Sequence, residues 1–164
     1  MTAMNEPLWL QRARCDLGLC ELPGAPTAPR IAAWLQRLGA WWTDDETPWC
    51  GTAVAAWMTA CDIAPPAAWY RAKAWADWGS RLVNPVPGCV VVFERVGGGH
   101  VGLVVGQDQR GRLLVLGGNQ GDQVCIAPFD RSRVVAYRWP AGMQCATIGL
   151  PVIASAAASS TREA

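Results

Sequence analysis

Pro87-Gly88-Cys89-Val90-Val91-Val92-Phe93 is the stretch where the chain changes its period. Upstream of Gly88 the apolar residues recur at helical spacing. From Cys89 onward they come in short runs of strand length, and Cys89 to Phe93 itself reads as a buried strand. Four more strands are predicted: Val101 to Val105, Leu113 to Leu116, Val124 to Ala127 and Val134 to Tyr137. Their connections are short and rich in Gly or Asp: Gly97-Gly98-Gly99, Gln107 to Gly111, and Gly117 to Asp122. Links this short join antiparallel neighbours, because a parallel pair needs a long crossover.

Before that stretch the pattern is helical. Pro7 opens a helix carrying Leu8, Trp9, Leu10, Ala13 and Leu17, closed by Gly18 and then Pro23-Gly24. Ala28 to Leu38 is a second, with Ile31, Trp34, Leu35 and Leu38 on one face and Gly39 as its cap. A third runs from about Pro48 to Cys61, with Thr47 as N-cap and Pro48 at the first helical position. Pro65-Pro66 prevents its continuation, and a short helical stretch covers Trp69 to Trp78. Helices first and strands afterwards predict an α+β fold. With no linker before about residue 140, residues 1–140 read as one domain and 141–164 as a weakly structured or loosely packed tail.

Composition removes several function classes. The 164 residues suit a single domain with its own core, and 51% of them are hydrophobic. Fourteen basic against 13 acidic residues leave a net charge of +1, without the basic excess of a nucleic-acid binder. A single His rules out zinc sites built on two imidazoles, and none of the seven Cys forms a C-x-x-C pair, so no metal or other cofactor is expected. The uncharged stretch from Trp139 to Thr161 is broken by Pro140, Gly142, Gly149 and Pro151, so no stable membrane insertion is expected. No charged-plus-apolar leader precedes the first helix, which points to synthesis in the cytoplasm with free thiols.

Cys50 stands out by position. With Thr47 as N-cap it falls at the third helical position, where partial positive charge and unpaired N–H groups favour a thiolate. A small buried hydrophobe is the alternative, and position alone leaves both open. His100 follows three glycines and opens a strand. A surface His at a loop edge is the bland reading, but glycines clear side chains from around the ring and let another group approach. If the loop is Gln107 to Gly111, paired residues sum to 218 and Asn119 lies diagonal to His100, or opposite it if one bulge intervenes. An Asn there can accept a hydrogen bond from the imidazole. The same Asn, between Gly118 and Gly121, also reads as a plain turn residue.

These segments resemble the small NlpC/CHAP-like cysteine peptidases of phages and prophages. The motifs are Asp-Asp-Glu-Thr-Pro-Trp-Cys at 44–50, Gly-His-Val-Gly at 99–102 and Leu-Gly-Gly-Asn-Gln at 116–120. Leu-Gly-Leu-Cys-Glu-Leu-Pro-Gly at 17–24, Pro-Arg-Ile at 29–31, Ala-Trp-Ala-Asp-Trp-Gly at 74–79 and Pro-Gly-Cys-Val-Val-Val-Phe at 87–93 extend the likeness over residues 7–140. The resemblance implies a papain-like fold, with N-terminal helices on a five- to six-stranded antiparallel sheet. It also implies hydrolysis of an amide bond in bacterial peptidoglycan, in the manner of a phage or prophage endolysin. Cys50 would be the nucleophile, His100 the base and Asn119 the orienting residue. Two positions depart from the pattern: Gly117 stands where an acidic residue is common, and Trp49 where Gln is common, leaving backbone N–H groups as the default oxyanion donors.

The acidic loop at 44–46 offers Asp45 to an amino group of the stem peptide, or serves only as favourable charge at a helix start. Trp49, Trp75, Trp78 and Gln120 are the other candidate substrate contacts, the tryptophans being equally readable as core. The cell wall would be reached by release or export. Two other settings fit the residues: an exported antibacterial amidase toxin, whose partner would be an immunity protein, and a non-catalytic wall-binding or virion module.

Overall fold

The computed structural model describes residues 6–22, 27–44, 47–145 and 148–154. Three α-helices come first: α1 (Leu8–Cys15), α2 (Pro29–Leu38) and α3 (Cys50–Thr59). A 3₁₀ helix at Ala72–Asp77 leads into six strands: β1 (Ser80–Leu82), β2 (Val90–Arg95), β3 (Gly98–Gln107), β4 (Leu113–Gly117), β5 (Cys125–Phe129) and β6 (Val134–Trp139). The strands form one sheet in the order β1-β6-β2-β3-β4-β5, with every neighbouring pair antiparallel. This is the α+β architecture expected from the sequence, and it is consistent with a papain-like CHAP domain.

Each helix follows from its pattern. In α2 the buried face is Ile31, Trp34 and Leu35, and Gly39 closes the helix in the left-handed region at φ 76°. Helix α3 is apolar all round, and Cys50 through Met58 are all buried, as a central helix must be. One carboxylate ties the three helices together. Asp16, at the C-cap of α1, accepts the Trp57 indole N–H from α3 at 2.9 Å and the Arg30 guanidinium from α2 at 3.0 Å. Asp16 is itself buried, so losing it would strand the Trp57 donor in the core.

Three expectations need correction. First, α3 begins later than Thr47 and Pro48 suggested. Thr47 gives both its backbone N–H and its hydroxyl to Asp44 Oδ1, each at 2.7 Å, forming a local turn instead of a cap. Trp49 becomes the N-cap and Cys50 the first helical residue. Second, β1 was not foreseen: it is a three-residue edge strand held only by β6, too short to show a period. Third, the β3–β4 register differs. Gln107 pairs with Leu113 and Gly106 with Leu114, and the register then shifts, so that Val104 pairs with Val115 and Leu103 with Leu116. Beyond that bulge the pairs sum to 219, an offset that continued would set residue 119 opposite His100, the one-bulge alternative read from the sequence.

Residues 148–154 form no helix, but they are anchored. Val152 bridges Gln107 in parallel. Gln107 donates its N–H to Pro151 O at 2.9 Å, and Ile153 donates its own to Gln107 O at 2.8 Å. The tail is thereby stitched to the end of β3 opposite His100.

Candidate active site

Cys50 enters the site from the N-terminus of α3, and His100 enters from β3. The two elements pack against each other, and the side chains of Cys50 and His100 share a hydrogen bond. Cys50 is 4% exposed and His100 fully buried. Burial raises the cost of a thiolate at Cys50. The hydrogen bond and charge of His100 oppose it, helped by backbone hydrogen bonds from Val101 and Gly51. These together bring the thiol below its ordinary value of 9.0. The other buried thiol shows burial prevailing: Cys89, beside the sheet, is pushed up to about 12, chiefly by desolvation.

The imidazole is fixed on its faces and at its edge. Phe129 stacks on it at 5.4 Å between centroids and 10° between planes, with Phe93 beyond at 6.3 Å. Phe93 is also the direct cross-strand partner of His100. At the ring edge, Nε2 of His100 lies 2.9 Å from Gln120 Oε1. The Gln120 amide nitrogen donates to Cys125 O at 2.8 Å and to Val115 O at 3.2 Å. Those two carbonyls occupy its N–H groups, so the amide must present oxygen to the ring. The ring nitrogen facing that oxygen is then the protonated one. In the Nε2–H tautomer, Nδ1 is the ring's basic nitrogen, the one able to take a proton.

The imidazole thus has a partner in Gln120, which was expected to touch substrate and stands one residue beyond Asn119, the expected orienting residue. Asn119 is also buried, but its backbone lies in the left-handed region at φ 59°, which Asn tolerates better than most residues. That turn ends β4 and swings the next side chain toward His100. Gly117 explains why the partner comes from position 120. A side-chain carbon there would collide with Gln120 Oε1 and come within 3.3 Å of His100 Nε2. The absent acidic residue at 117 and the present Gln120 are therefore one arrangement: the amide fills the space the glycine vacates. This signal was available in the sequence, since a glycine where the pattern expects a partner asks which neighbour replaces it.

The remaining candidates separate cleanly. Trp49 is 1% exposed, gives its N–H to Glu21 Oε1 at 3.0 Å and lies over Gly118, where a side-chain carbon would come within 2.8 Å of its ring. Trp75 is fully buried and donates to Trp69 O at 3.0 Å. Trp78 is half-buried against Trp75 and donates to Ala64 O at 2.9 Å. Burial gives Trp49 and Trp75 the core reading, while Trp78 stays partly open to solvent. Asp45 lies outside the described residues. Among the described residues no group of three or more His, Cys, Asp or Glu is placed to hold a metal ion. No helix among them is long and apolar enough to cross a membrane.

Residues 42–119 match the CHAP domain family, consistent with a small CHAP/NlpC-like cysteine peptidase. The match spans Cys50 and His100 and stops one residue short of Gln120. CHAP domains are typically cysteine- and histidine-dependent amidohydrolases or peptidases, and peptidoglycan is the substrate the match implies. No curated protein and no solved structure matches the chain.

Proposed function

We propose that this protein hydrolyses an amide bond in the stem peptides of bacterial peptidoglycan, with Cys50 as nucleophile, His100 as general base and acid, and Gln120 as the residue that orients the imidazole. The observation that carries this reading is the hydrogen-bonded series Cys50–His100–Gln120 at a helix N-terminus, within a chain matching the CHAP domain. His100 takes the thiol proton through Nδ1, and the thiolate attacks the carbonyl carbon, forming the C–S bond. The oxyanion is received by backbone N–H groups of the first turn of α3, which no side chain caps. His100 then gives its proton to the leaving amine as the C–N bond breaks. Water, deprotonated by the same ring, hydrolyses the thioester and releases the carboxylic acid.

The setting proposed is lysis of a bacterial wall by a phage- or prophage-type endolysin, the wall being reached by release or export after synthesis in the cytoplasm. A lowered Cys50 thiol favours a working enzyme over a silent wall-binding module. Digestion of purified peptidoglycan followed by mass spectrometry of the fragments tests the chemistry. Amide hydrolysis adds one water per cut and yields equal numbers of new amino and carboxyl ends. Fragments with new reducing sugar ends instead would mean a glycosidic bond is cut, contrary to this reading.

A further inference from the structure

We infer that an aromatic platform of Trp41, Trp42, Trp69 and Tyr70, packed on the core through Trp42 and Trp69 and open at Trp41 and Tyr70, binds the sugar rings of the glycan strand beside the nucleophile. The inference rests on the peptidoglycan reading above and adds to it a second substrate component, the polysaccharide, with a site of its own.

The four rings form one cluster. Trp41 meets Trp42 edge-on at 5.5 Å, Trp42 stacks on Trp69 at 5.7 Å and 27°, and Tyr70 stands edge-on to both Trp42 and Trp69 at 5.4 and 5.5 Å. Such a cluster belongs in a core, yet Trp41 is 90% exposed and Tyr70 42%. Arg71 covers Tyr70 at 5.8 Å, which leaves Trp41 as the most open ring. Exposed apolar surface of this kind marks an interaction site.

The tryptophans of this chain divide by their N–H groups. Trp9, Trp49, Trp57, Trp75 and Trp78 each donate to a protein acceptor. Among the described residues no acceptor meets the N–H of Trp34, Trp41, Trp42, Trp69 or Trp139, but Trp34 and Trp139 are buried, so the unused donors a ligand could reach are those of this cluster, Trp41 above all. An open aromatic face next to an unused donor suits a ligand with a flat C–H face and carbonyl or hydroxyl oxygens at its rim. An N-acetylated pyranose has both. A short stem peptide, carrying amino and carboxyl groups along its length, offers no comparable flat apolar face.

The position fits the same substrate. Trp42 lies on the segment leading into Cys50. The backbone of Trp69 and Tyr70 presses on Gly51, the residue after the nucleophile, so closely that a side-chain carbon at Gly51 would collide with Trp69 O. The platform therefore adjoins the first turn of α3, where a stem peptide joined to its sugar would bring that sugar.

The test is co-sedimentation of the full-length Cys50→Ala protein with insoluble glycan strands stripped of their stem peptides, with free stem peptide as a soluble competitor. Retention is expected, and adding Trp41→Ala should weaken it by about tenfold. Trp41→Phe should restore most of it. Val152→Ala, an exposed apolar change at the opposite end of β3, should leave it unaltered. No retention on stripped strands, equal retention with and without Trp41, or displacement by free stem peptide would each overturn the inference. Hydrolysis plays no part in this measurement. Sugar binding without amide cleavage would sink the proposed reaction alone, and cleavage without sugar binding would sink the platform alone.

Discussion

Gln120 Oε1 and His100 Nε2 lie 2.9 Å apart, and the Gln120 amide nitrogen is engaged by the carbonyls of Cys125 and Val115. The orientation of the imidazole is thus set by a neutral amide held by backbone, not by a carboxylate. Removing that amide should affect turnover more than substrate binding. Gln120→Ala is expected to lower kcat on the order of 10²-fold with a smaller change in KM. Asn119→Gly keeps the left-handed backbone at φ 59° while removing a buried side chain, so it should lower kcat less than Gln120→Ala does. Steady-state kinetics on purified peptidoglycan separates the two. Equal losses in both variants would return the orienting role to the turn as a whole.

Gly117 and Gln120 share one space, so their substitutions should not be additive. Gly117→Asp alone drives a carboxylate into Gln120 and should lower both stability and activity. Combined with Gln120→Ala, the new carboxylate gains room beside His100 Nε2 and should recover a good part of the activity lost in either single variant. A thermodynamic and kinetic double-mutant cycle measures this. Additive losses would mean the two positions do not exchange the same role.

The lowered Cys50 thiol predicts a reactivity profile. A thiolate present below the ordinary thiol value of 9.0 should be alkylated by iodoacetamide faster at neutral pH than the other six cysteines. His100→Ala removes the hydrogen bond and the charge that oppose burial, so labelling should slow and its midpoint should rise. Mass spectrometry of the labelled peptide reports both. Cys50 labelling that is insensitive to His100→Ala would break the link between the two residues.

Cys89 predicts an effect of opposite sign. Its folded value of about 12 lies above the ordinary 9.0, so folding favours the neutral thiol. That contribution is complete below pH 9 and is lost as pH rises through the window toward 12, at roughly 1.4 kcal/mol per pH unit. Denaturant unfolding between pH 8 and 11 should show the loss, and Cys89→Ala should flatten it at some cost in cavity stability. An unchanged slope in the variant would assign the alkaline sensitivity to another group.

The sequence disclosed the fold through its change of period at Gly88, and it disclosed Cys50 and His100 because their neighbours are unusual: a helix start and a glycine run. It singled out Gln120 only as a substrate contact, not as the partner of His100. The β3–β4 register depended on a bulge near Val105, and a one-residue shift decides which side chain meets His100. Nor did it distinguish core tryptophans from exposed ones. Trp75 and Trp41 are the same residue type in similar apolar surroundings along the chain. Only tertiary contact buries the first and leaves the second 90% exposed. The N-cap was misplaced for a local reason: Asp44 captures Thr47 before the helix can.

Release of amino groups from purified peptidoglycan by the wild-type protein and by Cys50→Ala, compared at equal concentration and matched thermal stability, tests the central claim most directly. The wild type should release amines steadily. Cys50→Ala, a small change in a buried position beside an otherwise intact His100–Gln120 pair, should fold normally and release them slower by at least about 10³-fold. Amine release by Cys50→Ala near the wild-type rate would show that the thiol is not the nucleophile, and the account would fail.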